Sequence, residues 1–226
     1  MRKKLSILLL ILLLNGKVLF SYAFNPWGGI TGKNVMGITP FLYFTDDFKS
    51  ISSDFFINYG WSEKGDIFVD VLPLSIAPSF GYGIITVMPR YEVWSDIIFA
   101  VPLYINVHDG SVSGDVALHY NKFLNEKIQF QFNGGYSIPT HGGKGSVYSF
   151  AALDYYVDNY LGFYVEIDPS YDFDVSIFDV GIVPGIYIAF DKDQKHSVSI
   201  GFLNSFSSGE FEFYGIGMWY YTFFEL

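Results

Sequence analysis

The chain has 226 residues, 50% hydrophobic and 20% aromatic, with 13 basic against 23 acidic side chains and no cysteine. A formal charge of −10 argues against nucleic acid as a partner, because phosphate binding needs a basic surface, and the aromatic content excludes a disordered chain. Without cysteine there is no disulfide, thiolate metal site or lipid-bearing thiol, so stability must come from burial and backbone pairing.

Residues 1–23 read as a secretory signal peptide. Arg2, Lys3 and Lys4 form a charged start, Leu5 to Leu14 is an almost unbroken apolar run, and Ser21-Tyr22-Ala23 offers a cleavage site before Phe24. The apolar run is about ten residues, short of the roughly 20 a spanning helix needs, which favours cleavage over an anchor. Four of the basic residues (Arg2, Lys3, Lys4, Lys17) leave with it, so the remainder carries 9 − 23 = −14. Residues 24–226 then form a single domain, with no linker or repeat long enough to mark a second one. Phe24 to Lys33, with Trp27-Gly28-Gly29, is polar and glycine-rich enough to tuck into a barrel mouth, although a plain lead-in to the first strand is the simpler reading.

Beyond this point the chain alternates with the two-residue period of a strand with two different faces. About twelve such segments follow, near 34–45, 51–61, 66–75, 80–91, 94–106, 112–122, 126–138, 145–157, 160–168, 175–190, 196–205 and 210–226. The first, third and fourth alternate least cleanly. The sixth sets Val112, Val116, Leu118 and Tyr120 against Ser113, Asp115, Ala117, His119 and Asn121. The seventh sets Ile128, Phe130, Phe132, Tyr136 and Ile138 against Gln129, Gln131, Asn133 and Ser137. The ninth sets Leu161, Phe163, Val165 and Ile167 against Tyr164, Glu166 and Asp168, and the tenth sets Phe178, Val180, Ile182, Ile186 and Ile188 against Asp179, Gly181, Gly185 and Tyr187. Most are long enough for a tilted strand to cross a bilayer, which takes about 9–11 residues. The fold class expected is all-β: a closed antiparallel up-and-down transmembrane barrel of about 12 strands, with both termini on one side.

A soluble secreted barrel would alternate in the same way with its apolar face inward. Three features favour the membrane. Every lysine after the signal (Lys33, Lys49, Lys64, Lys122, Lys127, Lys144, Lys192, Lys195) falls in or beside a turn, whereas soluble sheets guard their edges and faces with Lys. Trp61, Tyr91, Trp94, Phe123, Tyr155, Tyr160, Tyr220 and Phe224 gather at the strand ends on the side of the termini, as an interfacial aromatic girdle would. Finally, Tyr214, Ile216, Met218, Tyr220, Phe224 and Leu226 share one face up to the last residue.

That ending resembles the C-terminal signature of bacterial outer-membrane barrels, departing from it at Thr222 and in ending on Leu226 rather than Phe. The resemblance is to the porin-like barrel class as a whole. It implies residence in the outer membrane among its lipids, and recognition of the C-terminal strand by the barrel-assembly machinery. Closure is required physically, because an open edge in lipid leaves unpaired N–H and C=O groups.

The candidate site is the inward face. Asp54, Asp70, Asp96, Asp115, Asp154, Glu166 and Asp179 are expected to line the lumen from seven strands, with Arg90 almost alone in opposing them and His119 as a hydrogen-bonding residue beside them. A negative lining favours cations or neutral polar solutes. The leading expectation is a passive channel for small hydrophilic solutes, with no enzymatic activity, cofactor or metal. The alternative is a structural or interaction barrel with a filled lumen; a soluble barrel binding an apolar ligand ranks third and a lipid-modifying enzyme fourth.

Catalytic and binding motifs are weak. Ser113, Asp115 and His119 share a face, but at about 3.3 Å per residue Ser113 and His119 stand roughly 20 Å apart, too far for a proton relay. Adjacent His196 and Ser197 point to opposite faces. Gly142-Gly143-Lys144-Gly145-Ser146 lacks phosphate-loop spacing and a following helix. Asp172 with Asp174, and Asp191 with Asp193, offer too few oxygens for calcium and read as loop charge.

Overall fold

The computed structural model describes residues 30–45, 48–139, 144–192, 196–207 and 210–226. The signal peptide, Trp27-Gly28-Gly29, Gly142-Gly143 and Asp193 lie outside them. The described chain is a closed antiparallel barrel of twelve strands, joined up and down in chain order. They are β1 (Val35–Thr45), β2 (Ser50–Ser62), β3 (Gly65–Asp70 and Leu74–Ala77), β4 (Gly81–Tyr82 and Ile84–Trp94), β5 (Ile97–Ala100 and Leu103–Asn106) and β6 (Val112–Asn125). The second half holds β7 (Ile128–Ile138), β8 (Ser146–Tyr156), β9 (Leu161–Asp172), β10 (Ile177–Ala189), β11 (His196–Ser207) and β12 (Glu210–Glu225). All twelve expected segments are present, and the ninth runs four residues further than its alternation indicated.

Closure lies at β1. It pairs with β2 from Met36↔Tyr59 to Thr45↔Ser50, and with the last strand, β12, from Val35↔Glu225 to Thr45↔Gly215. The carboxy-terminal residue extends this seam, with Leu226 N–H donating to Asn34 C=O at 2.9 Å. No strand edge of the ring is therefore left open, the condition a spanning sheet must meet.

Three strands are broken, and the breaks have local causes. Proline has no N–H for the ladder. At Pro73, in the middle of β3, the Asp70 carboxylate substitutes for the missing pairing, accepting from Phe55 N–H at 3.0 Å and Leu72 N–H at 3.3 Å. Pro73 C=O takes Gly83 N–H at 2.6 Å. At Pro102, in the middle of β5, the carbonyl accepts Asp115 N–H at 2.9 Å. Weak alternation in the third and fourth segments reflects this kink.

Side chains divide as the alternation requires. Leu118, Leu153, Phe163, Val165, Ile188 and Phe202 stand exposed on the outer face, while Met88, Ala100, Ala117, Gln131, Asp154, Tyr187 and Ser199 are buried on the inner one. Trp61, Tyr91, Trp94, Tyr155 and Tyr160 ring the exterior at the end where β1 starts and β12 finishes. Phe123 departs from the expected girdle. Its register against Gln129 puts it on the inner face, and its ring lies 5.9 Å from that of Tyr156.

Turns are built from side chains that cap their own backbone. Asp158 Oδ1 accepts Tyr160 and Leu161 N–H at 2.8 and 2.9 Å, and Asn125 Oδ1 accepts Lys127 and Ile128 N–H at 2.9 and 3.0 Å. Asp172 Oδ1 does the same for Asp174 and Val175 N–H at 2.8 and 3.1 Å, and Asp174 Oδ1 accepts Lys144 N–H at 2.8 Å. This pair of aspartates holds loops together.

The lumen as candidate functional site

The interior has two unlike halves. Nearer the start of β1 and the end of β12 it is packed into a floor. Arg90 and Asp66, both without solvent exposure, form a two-point ion pair: Nε donates to Oδ1 at 2.8 Å and Nη2 to Oδ2 at 2.6 Å. The guanidinium also lies 4.1 Å over the Phe68 ring centroid, a favourable cation–π placement. Asp66 Oδ2 accepts two more bonds at 2.8 Å, from Thr31 N–H and Thr31 Oγ1, and Asn58 Nδ2 donates to Thr31 Oγ1 at 2.7 Å. The segment before β1 is thus drawn into the mouth at Thr31, beyond the simple lead-in. Close approach explains Gly60: a Cβ there would sit 1.7 Å from Gly32 C=O.

Across the floor, Gln131 Nε2 donates to Asp154 Oδ2 at 2.7 Å, Tyr156 OH to Gln129 Oε1 at 2.7 Å, and Gln129 Nε2 to Asn121 Oδ1 at 2.6 Å. Tyr187 packs edge-on to Tyr156 at 6.2 Å. Buried polar groups need such partners, since each one left unmade costs about 1–3 kcal/mol.

Toward the opposite end the interior opens into a cavity of ≈ 670 Å³. Asp54, Asp115, His119, Glu166 and Asp168 line it, together with Phe41, Tyr43, Phe56, Tyr104, Tyr148 and Trp219. Asp115 Oδ2 accepts from Tyr104 OH at 2.7 Å. No Lys or Arg is among the described residues of the lining.

The expected lumen residues therefore separate. Asp54, Asp115, His119 and Glu166 meet at the cavity. Asp70 faces inward beside Asp54 but serves the kink of β3. Arg90 and Asp154 belong to the floor, where Arg90 is matched by Asp66. Asp179 keeps the inward phase of β10 opposite Ser170 without reaching the cavity lining. Asp96 is corrected: it sits in the turn between β4 and β5, with φ of 65°, at the terminal mouth, and its carboxylate lies 3.4 Å from Lys122 Nζ.

Two features escaped sequence reasoning. Asp66 shares the inward phase with Phe68 and Asp70, so alternation could have found it; Asp168, set on the same face as Glu166 by alternation, is missing from the expected lumen acids although it lines the cavity with Glu166. The aromatic content of the lumen was less visible. Inward rings rest on inward glycines: a Cβ on Gly185 would meet Tyr164 at 2.1 Å, one on Gly135 would meet Tyr148 at 2.4 Å, and one on Gly217 would meet Trp219 at 2.6 Å. Glycine on a lumen face marks a seat for a ring on a neighbouring strand or nearby on its own.

No family model matches the chain, and no curated protein does. Among solved structures it is similar to the COG4313 outer membrane channel from Pseudomonas putida F1, at 12% identity and a TM-score of 0.62, over 90% of this chain and 100% of that one. A structure described in work on in-meso crystallization of membrane proteins aligns at 13% identity and a TM-score of 0.49, over 85% of this chain and 84% of that one. The fold of the chain is that of the outer-membrane barrel class.

Proposed function

We propose that the protein is an outer-membrane barrel acting as a passive channel for small hydrophilic solutes, cationic or neutral. The observation that carries this reading is the inversion of the usual arrangement: an apolar exterior surrounds an acid-lined interior holding a ≈ 670 Å³ cavity. Charge on the wall of a narrow bore sets which ions enter. Likeness to an outer membrane channel supports the reading at the level of fold. Export with cleavage after Ala23, and insertion guided by the barrel-assembly machinery through β12, complete it. N-terminal sequencing of membrane-extracted protein should begin at Phe24; recovery of an intact Met1 chain counts against export by this route.

The packed floor favours a second reading, a structural or interaction barrel through which nothing passes. Single-channel recording in planar bilayers separates the two. The channel reading expects discrete conductance steps and a cation-preferring reversal potential in a salt gradient. Replacing Asp54, Asp115 and Glu166 with their amides should move that potential toward the anion side. A pore that prefers anions defeats the selectivity claim, and a barrel that never conducts leaves the filled lumen as the better account.

A further inference from the structure

The cavity brings two kinds of surface to one place. Its aromatic wall is centred on Phe41, which lies edge-on to Phe56 at 5.2 Å and to Trp219 at 6.0 Å, and stacks on Tyr43 at 6.1 Å. Carboxylates adjoin these rings. Asp54 is the direct partner of Phe41 across β1 and β2, and Glu166, from β9, lines the same cavity as Tyr43. Asp168 follows Glu166 on the same face of β9.

The lining also holds polar atoms that nothing in the described protein satisfies. Asn133 is 6% exposed, lines the cavity, and its Oδ1 has no hydrogen-bond partner. Asp168 Oδ1 is likewise buried without one. Both are acceptors, and no described lining residue is a Lys or Arg that could supply donors to them. A ligand suited to this wall brings N–H donors, positive charge and an apolar body together.

We propose that the cavity is a binding site for an organic cation, a primary or secondary ammonium carried on an aromatic or short alkyl body. Ring faces attract a cation through their quadrupole, the carboxylates of Asp54, Glu166 and Asp168 accept charge-assisted hydrogen bonds, and Asn133 Oδ1 accepts a further N–H. The volume falls within the range of about 300–1,000 Å³ common to small-molecule sites. A bare metal cation would engage the carboxylates and leave the rings unused. An anion would be repelled, and a neutral alcohol would keep the ring contacts without the charge. The assignment deepens the channel reading and rests on it only for the route by which the ligand arrives.

The test uses the whole chain from Phe24, refolded in detergent, and calorimetric titration at low ionic strength with three probes of one shape: 2-phenylethylammonium, 2-phenylethanol and phenylacetate. The ammonium is expected to bind one to one, with the alcohol weaker by at least about tenfold and the carboxylate weaker still. Glu166→Gln together with Asp168→Asn should weaken the ammonium by about tenfold or more and leave the alcohol unchanged. The three-probe series needs no variant, so poor folding of the double substitution does not blunt it. Equal binding of all three probes, or no binding of the ammonium, overturns the site. Bilayer recording is scored separately: a barrel that binds the ammonium but never conducts refutes the channel and keeps the site, and one that conducts without discriminating among the probes refutes the site alone.

Discussion

Arg90 shows how context decides the meaning of a charged side chain. Taken alone on its strand, it is the one cation opposing a ring of lumen acids. In the folded barrel it is consumed by Asp66, with which it shares complete burial and two hydrogen bonds. The cavity therefore keeps its carboxylates without an opposing arginine. Removing one partner of a buried pair leaves an uncompensated charge, at a cost of about 3–5 kcal/mol. Arg90→Ala is expected to lower unfolding stability in urea, measured in lipid vesicles, by that amount. The double variant Arg90→Met, Asp66→Leu should recover part of the loss, because it removes both charges while depriving Thr31 N–H and Oγ1 of their acceptor. A single variant as stable as the parent would show that the pair is solvated and the floor open.

At the scale of the strand, alternation carried the assignment wherever both faces were chemically distinct, as on β6, β7, β9 and β10. It was weakest on β3 and β4, where Pro73 and Gly83 interrupt the ladder and Asp70 turns from lining the wall to bridging a gap in it. Outward-facing positions carry their own prediction. Leu153 stands outward and exposed on β8 between the inward Ala152 and Asp154. Leu153→Arg should destabilise the barrel in vesicles by about 2–4 kcal/mol if it lies near the bilayer midplane. Arginine at Val157, in the adjoining turn, should cost about 1 kcal/mol or less, because interfacial positions tolerate charge. Equal costs at the two sites would place the apolar face in something other than a bilayer.

For the whole molecule, the division into floor and cavity makes the barrel a cup, and solvent access should follow that shape. The chain has no cysteine, so single cysteines can be labelled with a membrane-impermeant thiol reagent. Cysteine at Ser137, Ser149 or Ser170, which line the cavity, is expected to react. Cysteine at Ser199, buried in the floor, or at Phe163 and Phe202 on the outer face, should stay protected in vesicles. Rapid labelling at position 199 would mean that the floor opens on the timescale of the reaction. Labelling at 163 and 202 with protection inside would mean a soluble, inside-out barrel.

By itself the sequence determined a count of about twelve strands, their order, the two faces of most of them and the position of most turns. These follow from local periodicity and turn chemistry, which each segment carries without its neighbours. Closure could be argued beforehand, but the seam between β1 and β12 is a pairing of residues nearly two hundred positions apart, set by register around the whole ring. Tertiary structure alone decided which lumen acids meet, that Arg90 belongs to Asp66, that Asp96 stands at the mouth, and that rings fill the seats left by glycines on nearby positions of the wall. Alternation tells which side of the wall a residue faces; only the stagger of the strands tells how high on the wall it stands and what faces it across the bore.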